Sequence, residues 1–189
     1  QKIFINDVDS DFYELLKNVK VLNLTGGETI LQKQAIELID YLIEQDMAKD
    51  MIVTLLTNAS GFPDKVYDKF KQFKKVLYTI SVDGLHDVIE YQRRGCKWET
   101  VESNALQLIK DPKVHTVVNY VVTAVNVLSA MDFIDWCYNN RVRFFSISPV
   151  VRCEYLGPSA LPPELRELAL ERLHKGLEKY EPISKTGPG

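Results

Sequence analysis

An α/β fold, built as a partial (β/α) barrel of parallel strands, is predicted by three observations. Short β-branched runs alternate with amphipathic helical patterns, the breaks between them are brief, and each run has one apolar and one polar face. Strands alternating with helices of this length form β-α units with right-handed crossovers, hence a parallel sheet. Parity then selects the architecture. An open sheet covered by helices on both faces needs both faces apolar, whereas a barrel can turn a polar face inward toward a ligand at its mouth. Leu22 and Leu24 oppose Asn23 and Thr25; Ile80 and Val82 oppose Thr79, Ser81 and Asp83; Val118 and Val122 oppose Asn119 and Thr123; Phe145 and Ile147 oppose Ser146 and Ser148. The competing expectation is that these small polar groups bond to one another across strands.

Each element follows in order. Asp9 to Val19 reads as the tail of a helix, and Val19 to Thr25 as the first strand. Ile30 to Met47 carries Leu31, Ala35, Leu38, Ile39 and Leu42 at helical spacing, with Thr29 and Gln32 placed for a capping box. Met51 to Thr57 is the second strand, and a helix from Pro63 presents Val66, Phe70 and Phe73. Val76 to Val82 is the third strand, followed by a short helical or irregular stretch through Tyr91 and a break at Gly95. A helix around Val101, Ala105 and Leu108 leads to the strand Val114 to Val122. Another, Leu128 to Tyr138, precedes the fifth strand, Val142 to Ser148. Pro162 and Pro163 open a last helix bearing Leu165, Leu168, Ala169 and Leu173. One domain over residues 1–180, with a linker or Gly/Pro tail over 181–189, is the expected organisation of the 189 residues.

Composition narrows the classes. With 46% hydrophobic and 26% charged residues the chain is globular rather than disordered, and 23 Lys+Arg against 26 Asp+Glu give no basic excess for a nucleic acid backbone. Apolar runs such as Val117 to Val122 are far shorter than the ~20 residues that span a bilayer, which predicts a cytoplasmic protein with no membrane partner. Cys96, Cys137 and Cys153 are odd in number and widely separated, so neither a disulfide framework nor a metal site is expected within the chain. Cys137 falls on an apolar stripe with Ile134 as a core thiol, and Cys153 lies in the loop after the fifth strand. His86, His115 and His174 have no triad-like partners; Tyr78, Tyr120 and Trp136 read as core aromatics.

The sharpest local feature is Leu24-Thr25-Gly26-Gly27-Glu28-Thr29 between a strand and a helix. Two glycines let the backbone turn tightly and expose N–H groups for an anion, while Glu28 offers its carboxylate to an ammonium. A plain tight β-α loop with a dipole-stabilising acid has the same residues. The second strand ends in Leu56-Thr57-Asn58-Ala59, and the third in Ile80-Ser81-Val82-Asp83-Gly84. Ser81 and Asp83, two apart on a strand, point the same way, and Asp83 accepts hydrogen bonds from hydroxyls such as those of a ribose. Asp-Gly and Asn near strand ends also serve as turn formers.

Taken in order on successive strand ends, LTGGET, LLTNAS and ISVDGLHDVIEYQRRG resemble the cofactor-binding motifs of the radical S-adenosylmethionine enzymes, most closely the branch with a SPASM or twitch extension. The resemblance runs from about residue 19 to about residue 155 and implies a (β/α)6-type TIM barrel. It implies that Gly26, Gly27 and Glu28 bind the methionine ammonium, with Thr29 standing where a proline is usual. Ser81 and Asp83 map near the ribose and carboxylate of the cofactor, Arg93 (with Arg94 adjacent) onto the carboxylate partner, and Asn58 and Asn119 onto further contacts at strand ends. The family's C-x-x-x-C-x-x-C loop, whose thiolates hold a [4Fe-4S] cluster, is not in this sequence. That loop and the first barrel strand are therefore expected upstream of Gln1.

The function so implied is the core of a radical S-adenosylmethionine enzyme, acting through a 5′-deoxyadenosyl radical on an unknown substrate, a peptide or small molecule, with an external electron donor; this chain alone is expected to be inactive. Two other readings stay open. One is a cluster-less nucleoside-binding protein with a degenerate barrel. The other is a phosphate-binding partial-barrel enzyme using Gly26 and Gly27, in which no strand end carries a Schiff-base lysine, although Lys113 lies just before the fourth strand.

Overall fold

Val76, Tyr78 and Ile80 occupy alternate positions and so project from one side of an extended chain. In the computed structural model, which describes residues 10–61, 64–151 and 153–186, all three are buried, while Lys75, Leu77, Thr79 and Ser81 between them are not. The same alternation sets the second strand, where Val53, Leu55 and Thr57 are buried, but not the fifth, whose residues are all exposed. The five strands are β1 (Val21–Leu24), β2 (Ile52–Thr57), β3 (Lys75–Ser81), β4 (Val114–Val122) and β5 (Phe145–Pro149). The helices are α1 (Ser10–Leu16), α2 (Lys33–Glu44), α3 (Asp64–Phe70), α4 (His86–Gln92), α5 (Trp98–Lys110), α6 (Ala130–Asn139) and α7 (Pro163–Thr186). The strands are parallel and follow one another in chain order within one sheet, with helices between them, which is the α/β arrangement that the alternation of strands and helices predicts.

The chain divides into two compact units, Gln1–Ser81 with Glu99–Val118, and Val82–Trp98 with Asn119–Gly189. In the first unit, Val53 and Leu55 of β2 join Val76, Tyr78 and Ile80 in a core shared with Ala35, Leu38, Ile39 and Leu42 of α2 and Val101, Ala105 and Leu108 of α5. Helical spacing puts each helix's apolar set on one stripe, and burying it against the sheet is worth ~25 cal/mol per Å² of apolar surface. In the second unit an aromatic core links Trp98 to Trp136 (5.8 Å), Phe133 to Tyr120 (4.6 Å) and Phe133 to Phe145 (6.0 Å). There α7 approaches α6 closely: a Cβ on Gly176 would lie 2.1 Å from Met131 Cε. Lys179 binds Asp135 across the same pair of helices at 2.7 Å.

The face opposite the buried set carries polar pairs beside Ile52, Leu56 and Leu77. Thr54 Oγ1 donates to Asn23 Oδ1 at 2.7 Å between register partners of β1 and β2, and Ser146 Oγ donates to Asn119 Oδ1 at 2.6 Å. Asn23 and Ser146 are both exposed. The small polar groups thus bond across strands at these two pairs, as the competing expectation has it.

Three sequence expectations shift. The helix foreseen from Ile30 is a single 3-10 turn, Thr29–Leu31, followed by α2 from Lys33, and no side-chain cap forms at either start. Thr29 therefore does not build a capping box with Gln32; its side chain is carried inward instead. The fifth strand starts at Phe145 rather than Val142, because the Val142 N–H bonds to Cys137 O (2.9 Å) as α6 unwinds through Arg141 at φ +56°. The last helix runs to Thr186, past the expected boundary at 180, and residues 187–189 of the tail, like Asp9 and the Pro63 helix start, lie outside the described residues.

Asp111, at the end of α5, closes the first unit. Burial alone would raise its carboxyl, but the Tyr67 hydroxyl, the Lys113 N–H and the Lys71 ammonium together hold it below the usual aspartate value. A folded value below the unfolded one gives stability that is present above the unfolded pKa and is lost as pH falls through the folded one. Asp111→Asn should cost about 1 kcal/mol in urea unfolding at pH 7, with the gap to wild type closing as pH falls through the lowered titration of the folded carboxyl. A gap that persists at low pH overturns the assignment.

Candidate functional site

In the first unit, β1 ends at Leu24 and the chain turns through Gly26, whose φ of +153° favours glycine. Two residues later Glu28 is half-buried, and its carboxylate is fixed from behind by β2. Thr57 Oγ1 donates to one oxygen, and the Asn58 N–H donates to the other at 3.0 Å. Thr57 is oriented for this by accepting the Ala59 N–H at 3.0 Å. In the β1–β2 register Leu24 lies opposite Leu55, so β2 runs on two residues to Thr57 alongside the turn that follows β1. Two donors leave a carboxylate with lone pairs to spare, so Glu28 can still receive a cation such as an ammonium. The Asn58 carboxamide is occupied locally, its oxygen accepting both the Ser60 N–H (2.8 Å) and Oγ–H (2.6 Å).

The glycines leave room beside that carboxylate. A Cβ on Gly26 would meet only Gln32 Nε2 at 3.7 Å and Thr29 Oγ1 at 3.8 Å, and one on Gly27 only Gln32 Nε2 at 3.9 Å. Both glycines are exposed. Thr29 Oγ1, in contrast, is buried without a hydrogen-bond partner among the described residues. An open cradle, an anchored carboxylate and a sealed unpaired hydroxyl fit the polar amino-acid end of a ligand.

Asp83 organises the second unit. Its Oδ2 accepts Arg93 Nη2 at 2.5 Å, and its Oδ1 accepts the Val121 N–H at 3.1 Å. Its backbone oxygen accepts Gln92 Nε2 (2.7 Å) and Asn126 Nδ2 (2.8 Å). Asn126 is fully buried: its second Nδ2 proton goes to Val121 O, and its Oδ1 takes the Thr123 N–H. The Tyr120 hydroxyl donates to Asn126 O at 2.7 Å; burial, with Asp83 and Asp132 nearby, pushes that hydroxyl far above the usual tyrosine range, keeping it a donor.

The expected residues therefore divide. Gly26, Gly27, Glu28 and Asn58 gather around one strand-end turn; Asp83 and Arg93 pair directly in the other unit; Arg94 is exposed. Ser81 is half-buried at the last position of β3, and Asn119 is half-buried and bonded to Ser146. Arg93 meets a carboxylate, but it is that of Asp83. Thr57, Gln92 and Asn126 were missed. An Asn placed three residues beyond Thr123, the first residue after β4, is a turn signal, but which carbonyls it bridges depends on tertiary neighbours.

No group of three or more His, Cys, Asp or Glu side chains able to hold a metal forms among the described residues. Cys96 and Cys137 are buried and Cys153 is partly exposed. Burial pushes the Cys137 thiol up to about 12 and raises Cys96 as well, so neither is a thiolate at neutral pH. An iron–sulfur cluster needs thiolates brought together, and these residues do not fit one. No helix among the described residues is long and apolar enough to cross a membrane.

The sequence pattern described as the Radical SAM superfamily matches residues 6–149. Native anSMEcpe with bound AdoMet and Kp18Cys peptide has a similar fold, with TM-score 0.57 and 19% identity, covering 78% of this chain and 40% of that one. Streptococcus suis SuiB bound to S-adenosylmethionine gives TM-score 0.57 and 17% identity over 85% of this chain and 36% of that one. SuiB bound to precursor peptide SuiA gives 0.59 and 18% over the same shares. The chain thus spans 40% or less of the length of these neighbours. No protein of curated function matches it.

Proposed function

The chain belongs to the radical SAM superfamily, and from that premise we propose that it binds S-adenosylmethionine for radical chemistry on a peptide or small-molecule substrate. The observation that carries the reading is the Glu28 carboxylate, held by Thr57 and the Asn58 N–H and opening onto the Gly26-Gly27 cradle. In this proposal Glu28 takes the methionine ammonium, with the two glycines admitting the ligand close to the backbone. The resemblance assigns Ser81 and Asp83 to the ribose and carboxylate side of the cofactor. Asp83 keeps acceptor capacity for a hydroxyl after meeting Arg93 and Val121, and Arg93 orients Asp83 rather than reaching the ligand. Asn58 and Asn119 shape the strand ends. When bound, the cofactor supplies a reactive radical on one-electron reduction by an external donor. The SPASM or twitch affiliation rests on the ordered motifs, and a peptide is the favoured substrate class because anSMEcpe and SuiB are both seen with peptides.

The phosphate-binding reading is disfavoured by charge. Gly26 and Gly27 stand ahead of a single 3-10 turn rather than at the start of α2, and the acid beside them opposes an anion.

Calorimetric titration tests the proposal. S-adenosylmethionine should bind, and Glu28→Gln should weaken binding at least 10-fold, the loss of one charge-assisted contact, about 1.5–3 kcal/mol, with an unchanged circular dichroism spectrum. No binding by the wild-type protein, or equal binding by the variant, overturns it.

A further inference from the structure

Thr29 presents a buried hydroxyl with no hydrogen-bond partner among the described residues. The residue is 2% exposed. Leaving a hydroxyl sealed and unpaired is unfavourable, and an isosteric valine would fill the same space without that penalty. Yet Oγ1 lies 3.8 Å from where a Cβ of Gly26 would stand, at the edge of the exposed cradle. The exposed Gln32 brings its Nε2 to 3.7 Å and 3.9 Å from the corresponding positions on Gly26 and Gly27. A ligand atom resting on the diglycine turn would thus meet two donors, the rotatable hydroxyl of the residue after Glu28 and an amide three residues further on. Arg93, the other candidate for an anionic group, is committed to Asp83.

We propose that Thr29 Oγ1 and Gln32 Nε2 donate hydrogen bonds to the carboxylate of the ligand's amino-acid end. The turn then clamps a zwitterion, with its ammonium on Glu28 and its carboxylate on Thr29. This rests on the S-adenosylmethionine reading and adds a positioning pair to it. The hydroxyl unpaired in the free protein gains its partner only when the ligand arrives, so its binding role and its stability cost have opposite signs.

The test compares the intact wild-type protein with Thr29→Val, Thr29→Ser and Gln32→Ala. Two probes are titrated calorimetrically, S-adenosylmethionine and its decarboxylated analogue, and each ligand-free protein is melted. Thr29→Val should raise the melting temperature by about 3 °C and weaken S-adenosylmethionine about 10-fold, leaving the decarboxylated analogue unchanged. Thr29→Ser should bind as wild type, and Gln32→Ala, at an exposed position that cannot unfold the core, should lose about 3-fold for S-adenosylmethionine alone. Wild-type affinity in Thr29→Val, or equal losses for both probes, overturns the clamp while leaving the broader reading intact. Absence of wild-type binding overturns both.

Discussion

Replacing Asn126 by alanine should destabilise the protein by about 3 kcal/mol, lowering the melting temperature by about 10 °C. The side chain is fully buried and makes three hydrogen bonds: to Asp83 O and Val121 O through Nδ2, and from the Thr123 N–H through Oδ1. Truncation strips the Val121 carbonyl and the Thr123 amide of this partner, and a buried orphan group costs about 1–3 kcal/mol. Asp83 O keeps its bond from Gln92, which limits the damage at that end. Asn126→Asp is the sharper variant. It keeps the shape but turns the two-proton donor into an acceptor facing two carbonyl oxygens, so it should be at least as damaging at neutral pH. Protonation of the new carboxyl restores a donor, so stability should recover in part as pH falls. Urea unfolding of both variants measures this, and a midpoint within experimental error of wild type for Asn126→Ala would show that the network carries no stability.

The second large effect concerns Asp83 and Arg93. Their side chains are 18% and 29% exposed, and the pair is joined at 2.5 Å. Asp83→Ala should cost about 3 kcal/mol, because it strands a largely buried guanidinium and removes the acceptor of the Val121 N–H. Arg93→Ala should cost less, since Asp83 keeps that N–H. The double variant should be more stable than the sum of the single losses predicts, by about 1–2 kcal/mol, as expected for side chains in direct contact. Additive losses in a double-mutant cycle would mean that the pair is independent. The ligand side of the proposal predicts more. Arg93→Ala should weaken S-adenosylmethionine by misorienting Asp83, and Arg93→Lys, which keeps one donor, should recover part of the loss.

Much of the fold is legible in the sequence because it depends on local periodicity. The fourth strand has the bounds its pattern gives, Val114–Val122, and the next two best, β2 and β3, differ by a residue. Alternation needs no tertiary information when one face is buried, since a slip of one residue would expose every apolar side chain. The fifth strand is less legible. Its residues are all exposed, so burial does not fix its start, and the unwinding end of α6 takes Val142 first. Likewise Thr29 and Gln32 satisfy the spacing of a capping box, but the chain enters a 3-10 turn and the hydroxyl goes inward.

The sequence by itself determined the β-α order, the parallel sheet, the polar strand ends and the residues of the Gly-Gly-Glu turn, because each is set by neighbours within one or two turns of chain. Only the tertiary structure decided which partner each polar group found. Glu28 is held by Thr57 and Asn58 of the next strand, some thirty residues away, and Asn126 reaches back to Asp83 across more than forty. It also decided that Arg93 pairs with Asp83, and that Thr29 is buried unpaired beside an open cradle. The physical reason is that a hydrogen bond is chosen by what stands within about 3 Å of a donor, and packing, not sequence distance, sets that.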